Sequence, residues 1–180
     1  MTGEVICVAA HTSHAFSKTP AKEIHVLKGL GVEGDAHCGV MVKHRSRVAA
    51  NPDQPNLRQV HLFAAEMLDE LAARGFSVQP ANLGENITTR GVDLTHLPLG
   101  TRLQIGESVQ LEITGLRNPC KQIDNFQNGL MQAVLGRDEA GNLLLRAGVM
   151  AIVLEGGNVR LGDKISVDLP PLPHRKLERV

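Results

Sequence analysis

At 180 residues the chain has the length of one domain, enough to bury about two-thirds of the surface its unfolded form exposes. Nineteen basic and nineteen acidic residues cancel, which excludes the Lys/Arg excess that duplex-binding proteins depend on; four Phe with no Tyr or Trp excludes the aromatic platforms that stack single-stranded bases. Three cysteines, an odd number with no export signal ahead of them, predict reduced thiols and a cytoplasmic protein, and no apolar run approaches the roughly 20 residues of a membrane-spanning helix.

Glu4 to Ala10 is a short apolar run and Lys22 to Lys28 alternates polar with apolar residues, so both are predicted strands, with His11 to Pro20 a loop between them. Three glycines in Gly29-Leu30-Gly31-Val32-Glu33-Gly34-Asp35 require a sharp turn or a close backbone approach. Ala36 to Pro55 has no periodicity and reads as a long loop, of the kind that in compact domains is usually functional or disordered. Gln59 to Phe63 is a predicted strand; Ala64 to Arg74, with Met67, Leu68 and Leu71 on one face, is a predicted helix stopped by Gly75. Asn82 to Thr89 carries Gly84-Glu85-Asn86 and then a strand, and Arg102–Ile105 with Val109–Leu116 forms a predicted hairpin around Gly106. Cys120 to Leu135 is a predicted helix, and Leu143 to Leu154 one long or bulged strand bent at Gly148. Lys164 to Leu169 is the last strand. The Pro-rich, charged tail is expected to be loosely held, which gives one domain over residues 1–169 and a tail over 170–180. Many short strands, few helices and no βαβ alternation predict a mainly β fold, barrel or sandwich, rather than a Rossmann-type nucleotide fold.

Cys120 is the first chemical candidate. Nearby cations and a helix N-terminus favour a thiolate, and here Arg117 and Lys121 flank the sulfur in the segment Arg117-Asn118-Pro119-Cys120-Lys121, just ahead of the predicted helix. A buried structural cysteine fits the local sequence equally well. The second candidate is the loop Gly34-Asp35-Ala36-His37-Cys38 with His44, Arg45 and Arg47. It lacks the paired Cys or His spacing of a zinc site, so glycine N–H groups and arginines around a phosphate are favoured over zinc, with a solvated polar loop as the plain alternative. The third is Asn82 with Gly84-Glu85-Asn86, where an amide suits a heterocycle edge and a simple turn suits the same residues.

Taken together these segments resemble the MOSC domain, the family named for the C-terminal domain of molybdenum cofactor sulfurase. The resemblance rests on Gly29 to His37, Asn82 to Leu94, Leu97-Pro98-Leu99-Gly100-Thr101, Thr114 to Cys120 and Gly162-Asp163-Lys164-Ile165, in that order over most of the chain. It implies a distorted closed β-barrel like the barrel domain of pyruvate kinase, with a few peripheral helices. It also implies a molybdenum-pterin cofactor with Cys120 as catalytic residue and metal ligand, acting in the reduction of N-hydroxylated compounds. Contacts to the cofactor are expected from Gly34, Asp35, His37, Arg45, Arg47, Asn82, Glu85, Asn86, Arg117, Asn118 and Lys121. The same resemblance allows two other roles: a carrier of persulfide sulfur on Cys120 or a cofactor-delivery module, and a barrel that has lost the cofactor. Ala36 stands where the family often has Arg, which removes one contact. Neither an added helical C-terminal region nor a sulfurase part of the pyridoxal phosphate type appears in the chain, so electrons or sulfur are expected from a separate protein; a homodimer is compatible with the sequence, and no nucleic acid or membrane partner is expected.

Overall fold

The computed structural model describes residues 2–43, 48–49, 51, 53–137 and 140–180. In chain order its main elements are β1 (Thr2–Ala10), β2 (Thr19–Ala21), β3 (Glu23–Leu27), β4 (Gly31–Val32), β5 (Val60–Ala64), α1 (Ala65–Ala73), β6 (Ile87–Arg90), β7 (Arg102–Ile105) and β8 (Val109–Leu116). They continue with α2 (Gln122–Phe126), α3 (Leu130–Ala133), β9 (Leu135–Arg137), β10 (Leu143–Leu145), β11 (Val149–Glu155), β12 (Gly157–Arg160) and β13 (Lys164–Asp168). Seven of the strands close into the expected mainly β barrel in the ring order β1-β13-β7-β8-β11-β5-β6, with β6 returning to β1. Closure removes the unpaired edges that an open sheet would expose. All ring pairings are antiparallel except β5 with β6.

The alternation in each strand decides which side chains fill the barrel. Leu103, Ile105, Val109, Leu111, Ile113, Val149, Ala151, Val153 and Ile165 form its aliphatic interior, as the scarcity of aromatics requires. β5 is buried on both faces: Val60 and Leu62 point into the barrel, while Phe63 packs outside it with Met67, Leu68 and Leu71 of α1 and with Ile123, Leu130 and Ala133 of α2 and α3. The outer cluster therefore covers one side of the barrel, and next to it lies the candidate site.

Four expectations from the sequence are corrected. The helix predicted over Cys120 to Leu135 is two short helices, because Gly129 takes a left-handed φ of 80° between them and Leu135 already begins β9. The strand predicted over Leu143 to Leu154 is split: β10 pairs with β9 in a separate ribbon, and β11 joins the barrel. The tail is not loose. Leu177 is buried against the barrel, Leu99 N–H donates to the Arg175 carbonyl (2.9 Å), and Leu116 N–H donates to the Glu178 carbonyl (2.7 Å). A short strand, β2, also interrupts the loop expected over His11 to Pro20.

The chain leading into β11 requires glycine at position 148. Its φ is +95°, and an added Cβ would overlap the Leu62 carbonyl oxygen and stand 2.7 Å from His61 Nε2. Alanine there should combine backbone strain with a clash against a buried strand, and a cost of about 3 kcal/mol is expected. Urea unfolding of Gly148→Ala checks this; an unchanged midpoint would contradict the close approach.

Candidate functional site

Register places the central cation. Along β8, Val109, Leu111 and Ile113 face the interior, but the pairing with β11 shifts between Met150 and Ala151, so that Met150 lies opposite Gly115 and Ala151 opposite Ile113. A one-residue shift of this kind exchanges the faces. Beyond it Leu116 packs toward the barrel core, and Arg117 joins Met150 and His61 in lining a cleft outside it. Arg117 N–H donates to the Gly148 carbonyl (3.0 Å), which fixes the backbone at this point.

The cleft is about 80 Å³ and is walled by Phe16, Lys18, His37, Arg58, Gly84 and Asn86, with Gln122 at its edge. Gly84 lets two loops meet: its φ is +83°, and a Cβ there would lie 2.5 Å from the Phe16 carbonyl oxygen. Asp35 is the hub that binds the loops together. Its carboxylate forms a buried ion pair with Lys18 and accepts from the backbone N–H groups of His37 (2.9 Å) and His11 (3.2 Å). It also accepts from Asn86 Nδ2 (3.2 Å). Asn86 in turn accepts from His61 N–H (3.1 Å) and donates to the Ala9 carbonyl (3.1 Å), so β1, β5 and both loops converge on one carboxylate. Burial alone would raise the Asp35 carboxyl; the hydrogen bonds from His37 and the Lys18 ammonium outweigh it and hold the group well below its usual range.

His61 is buried, and burial followed by the Arg117 charge drives it well below its ordinary value, so the ring is neutral. Its Nε2 lies 3.0 Å from the Ala147 carbonyl and is the donor in the neutral tautomer. Arg117 is 8% exposed, and its Nη1 has no hydrogen-bond partner among the described residues. Burial lowers the guanidinium from its usual value, with the Cys120 sulfur and the Glu85 carboxylate opposing; it stays cationic. Glu85 is fully enclosed, and burial pushes its carboxyl up. One of its oxygens accepts from Ala81 N–H (2.7 Å) and Thr88 Oγ1 (3.2 Å), and the other has no partner among the described residues.

The structure thus brings together Asp35, His37, Asn86 and Arg117 of the residues predicted from sequence, with Glu85 behind them. Cys120 adjoins this group. Its sulfur is half-buried, faces Gln122 Oε1 at 3.5 Å and is not part of the cleft lining. Gly34, Asn118 and Lys121 are exposed, and Asn82 serves the turn, where its Oδ1 accepts from Gln79 N–H (2.9 Å). Arg45 and Arg47 lie outside the described residues. Sequence reading missed Lys18, Arg58 and His61. Lys18 sat in a stretch read as an ordinary loop and His61 in a strand; the one signal for His61 was a polar residue inside an otherwise apolar run.

Removing the hub charge should be costly at neutral pH. Asp35→Asn leaves the buried Lys18 ammonium unpaired, with an expected loss of about 3–5 kcal/mol. Because the folded carboxyl is depressed, its contribution is complete above the unfolded value near 3.8 and is lost as pH falls below it toward the folded value. The stability gap between wild type and Asp35→Asn in urea titrations should therefore narrow in acid; a gap independent of pH would count against this account.

The sequence model of the MOSC domain matches residues 35–166. Among solved structures, the YuaD protein from Bacillus subtilis aligns with TM-score 0.76 and 25% identity over 95% of this chain and 98% of that one. YiiM from Geobacillus stearothermophilus aligns with TM-score 0.64 and 15% identity over 97% and 79%. YiiM from Escherichia coli aligns with TM-score 0.62 and 19% identity over 97% and 73%, and these two share the fold. A search of the curated proteins finds no match. With its motifs in order on a closed seven-strand barrel and the family's sequence model spanning most of its length, the chain belongs to the MOSC domain family.

Proposed function

We propose that this domain binds a molybdenum-pterin cofactor beside Arg117, with Cys120 as the protein's ligand to the metal, and serves in the reduction of N-hydroxylated compounds. One observation carries the reading: a guanidinium almost wholly removed from water, with an Nη1 that no described residue satisfies, beside a cysteine. A buried cation without a hydrogen-bonding partner costs several kcal/mol, and an anionic ligand group would offset that cost. Lys18 does not compete for such a ligand, since Asp35 neutralises it.

The residues fit part of the cofactor at a time. A space of about 80 Å³ takes an anionic end group, so the rest would lie along the open rim by His37 and Arg58. Among the described residues no three His, Cys, Asp or Glu side chains converge as a metal site. A metal held here would therefore have one protein sulfur, from Cys120, and its other ligands from the cofactor; soft thiolate suits that arrangement.

When bound, the centre supplies two-electron cleavage of an N–O bond, R–NHOH + 2 e⁻ + 2 H⁺ giving R–NH2 + H2O, with electrons from a separate donor protein. Arg117 orients the anionic portion. His61, buried and neutral, is tied to the Ala147 carbonyl and forms part of the wall, and the Asp35 hub holds the loops together. A second reading is favoured by the half-exposed sulfur outside the cleft lining: Cys120 carries a persulfide for transfer to a partner.

Protein purified from a cofactor-producing host decides between them. Molybdenum near one atom per chain, with loss above tenfold in both Cys120→Ala and Arg117→Met, is the expected result. Sulfur released by cyanide as thiocyanate, without metal, would establish the carrier. The absence of both would overturn the cofactor reading. Circular dichroism of each variant separates lost binding from lost fold.

A further inference from the structure

A second cavity begins one residue before Arg117, at Leu116, and owes nothing to the cofactor reading. It is a groove of about 540 Å³, within the span of small-molecule sites at roughly 300–1,000 Å³. Leu97, Pro98, Leu116, Leu145 and Leu177 give it an apolar floor, and Leu143 stands 55% exposed at its lip. Its fixed charges, from Arg146, Arg175 and Lys176, are all positive. His96, Arg146, His174, Arg175 and Lys176 face it, and among the described lining residues there is no Asp or Glu.

Arg146 is already neutralised elsewhere, and the His96 ring is engaged. Arg146 Nη2 donates to both oxygens of Glu70 (2.6 and 2.7 Å), and His96 Nδ1 pairs with Asp93 (2.9 Å). His174 Nε2 is 3.0 Å from the Pro170 carbonyl. Arg175 and Lys176 are exposed and make no ion pair among the described residues, so two point charges stand at one side of an apolar trough. The tail that carries them is pinned in place at Leu99 and Leu116, which makes the groove a built feature rather than a chance fold of a loose end.

We infer that this groove binds a small carboxylate with an extended apolar body, the carboxylate at Arg175 and Lys176 and the chain along the leucine floor. The charge pattern selects an anion, and the floor selects an amphiphile over inorganic phosphate, which would leave the leucines wet.

Octanoate is a suitable probe, with hexanoate, octanol and acetate as controls, followed by amide chemical shifts in NMR and by calorimetry on the full chain. Octanoate should bind at millimolar concentration or below and shift residues of β10 and the tail, with each added methylene improving affinity about threefold to fourfold. Charge reversal in Arg175→Glu/Lys176→Glu should weaken octanoate about tenfold and leave octanol unchanged. Leu143→Asp, at an exposed position that the fold does not need, should weaken both. Arg117→Met should leave octanoate binding intact, which keeps this result separate from any at the cofactor cleft. Octanol binding as tightly as octanoate, no gain with chain length, or shifts confined to the Arg117 cleft would each overturn the proposal. So would a dimer that Leu143→Asp converts to monomer while octanoate leaves the groove unshifted, since the face would then be an interface between copies.

Discussion

The ion pair between Lys18 and Asp35 is the constraint from which the site follows. Both side chains are almost fully withdrawn from water, at 4% and 2% exposure, where an unpaired charge would be costly. Attraction alone rarely compensates such burial. What makes Asp35 tolerable is the number of donors around it: two backbone N–H groups, an amide and the ammonium occupy its oxygens. The four donors come from three pieces of chain, so the carboxylate fixes the relative position of the 11–18 loop, the 35–37 loop and the start of β6. A network in which nearly every member is satisfied specifies one arrangement more sharply than an apolar contact of the same size.

Set against that network, Arg117 is the group left unfinished. A β-bulge turns it out of the barrel, Gly148 holds its backbone, and Glu85 lies near enough to feel its charge without closing a salt bridge. A buried cation with a donor that no described residue satisfies, on the same face as a neutral imidazole, is the reason to seek the anionic part of a cofactor here.

How far the sequence could be read depends on the range of the interactions involved. The hairpin of β7 and β8 and the helix α1 were legible because alternation, a turn glycine and an amphipathic face are local signals. The region after Cys120 misled because its apolar residues suit a helix, while Gly129 and the pairing of β9 with β10, set by tertiary contacts, break it. Arg117 and Asp35 were visible as candidates, but their environment was not. Lys18 lies 17 residues from Asp35, Asn86 lies 51 away, and His61 meets Asn86 across 25. No spacing rule connects such distances. Cys120 was identified by its neighbours in sequence, and its position just outside the cleft lining, rather than within it, was not something those neighbours could report.

The tail shows the same limit from the other direction. Proline and charge gave it the composition of a loose end, yet Leu177 fills a gap at the barrel core, and the last residues run beside β8, with Val180 N–H reaching the Leu116 carbonyl at 3.3 Å. Arg58 then donates to the Val180 carbonyl at 2.6 Å, which holds a residue of the Arg117 cleft by means of the tail. Leu116, bonded on its N–H side to Glu178, lines the leucine groove, while the next residue, Arg117, lines the cleft. One segment therefore walls one cavity and anchors the rim of the other. Backbone hydrogen bonds do this without regard to side-chain identity, which is why composition, the basis on which the tail was read, carried no trace of it.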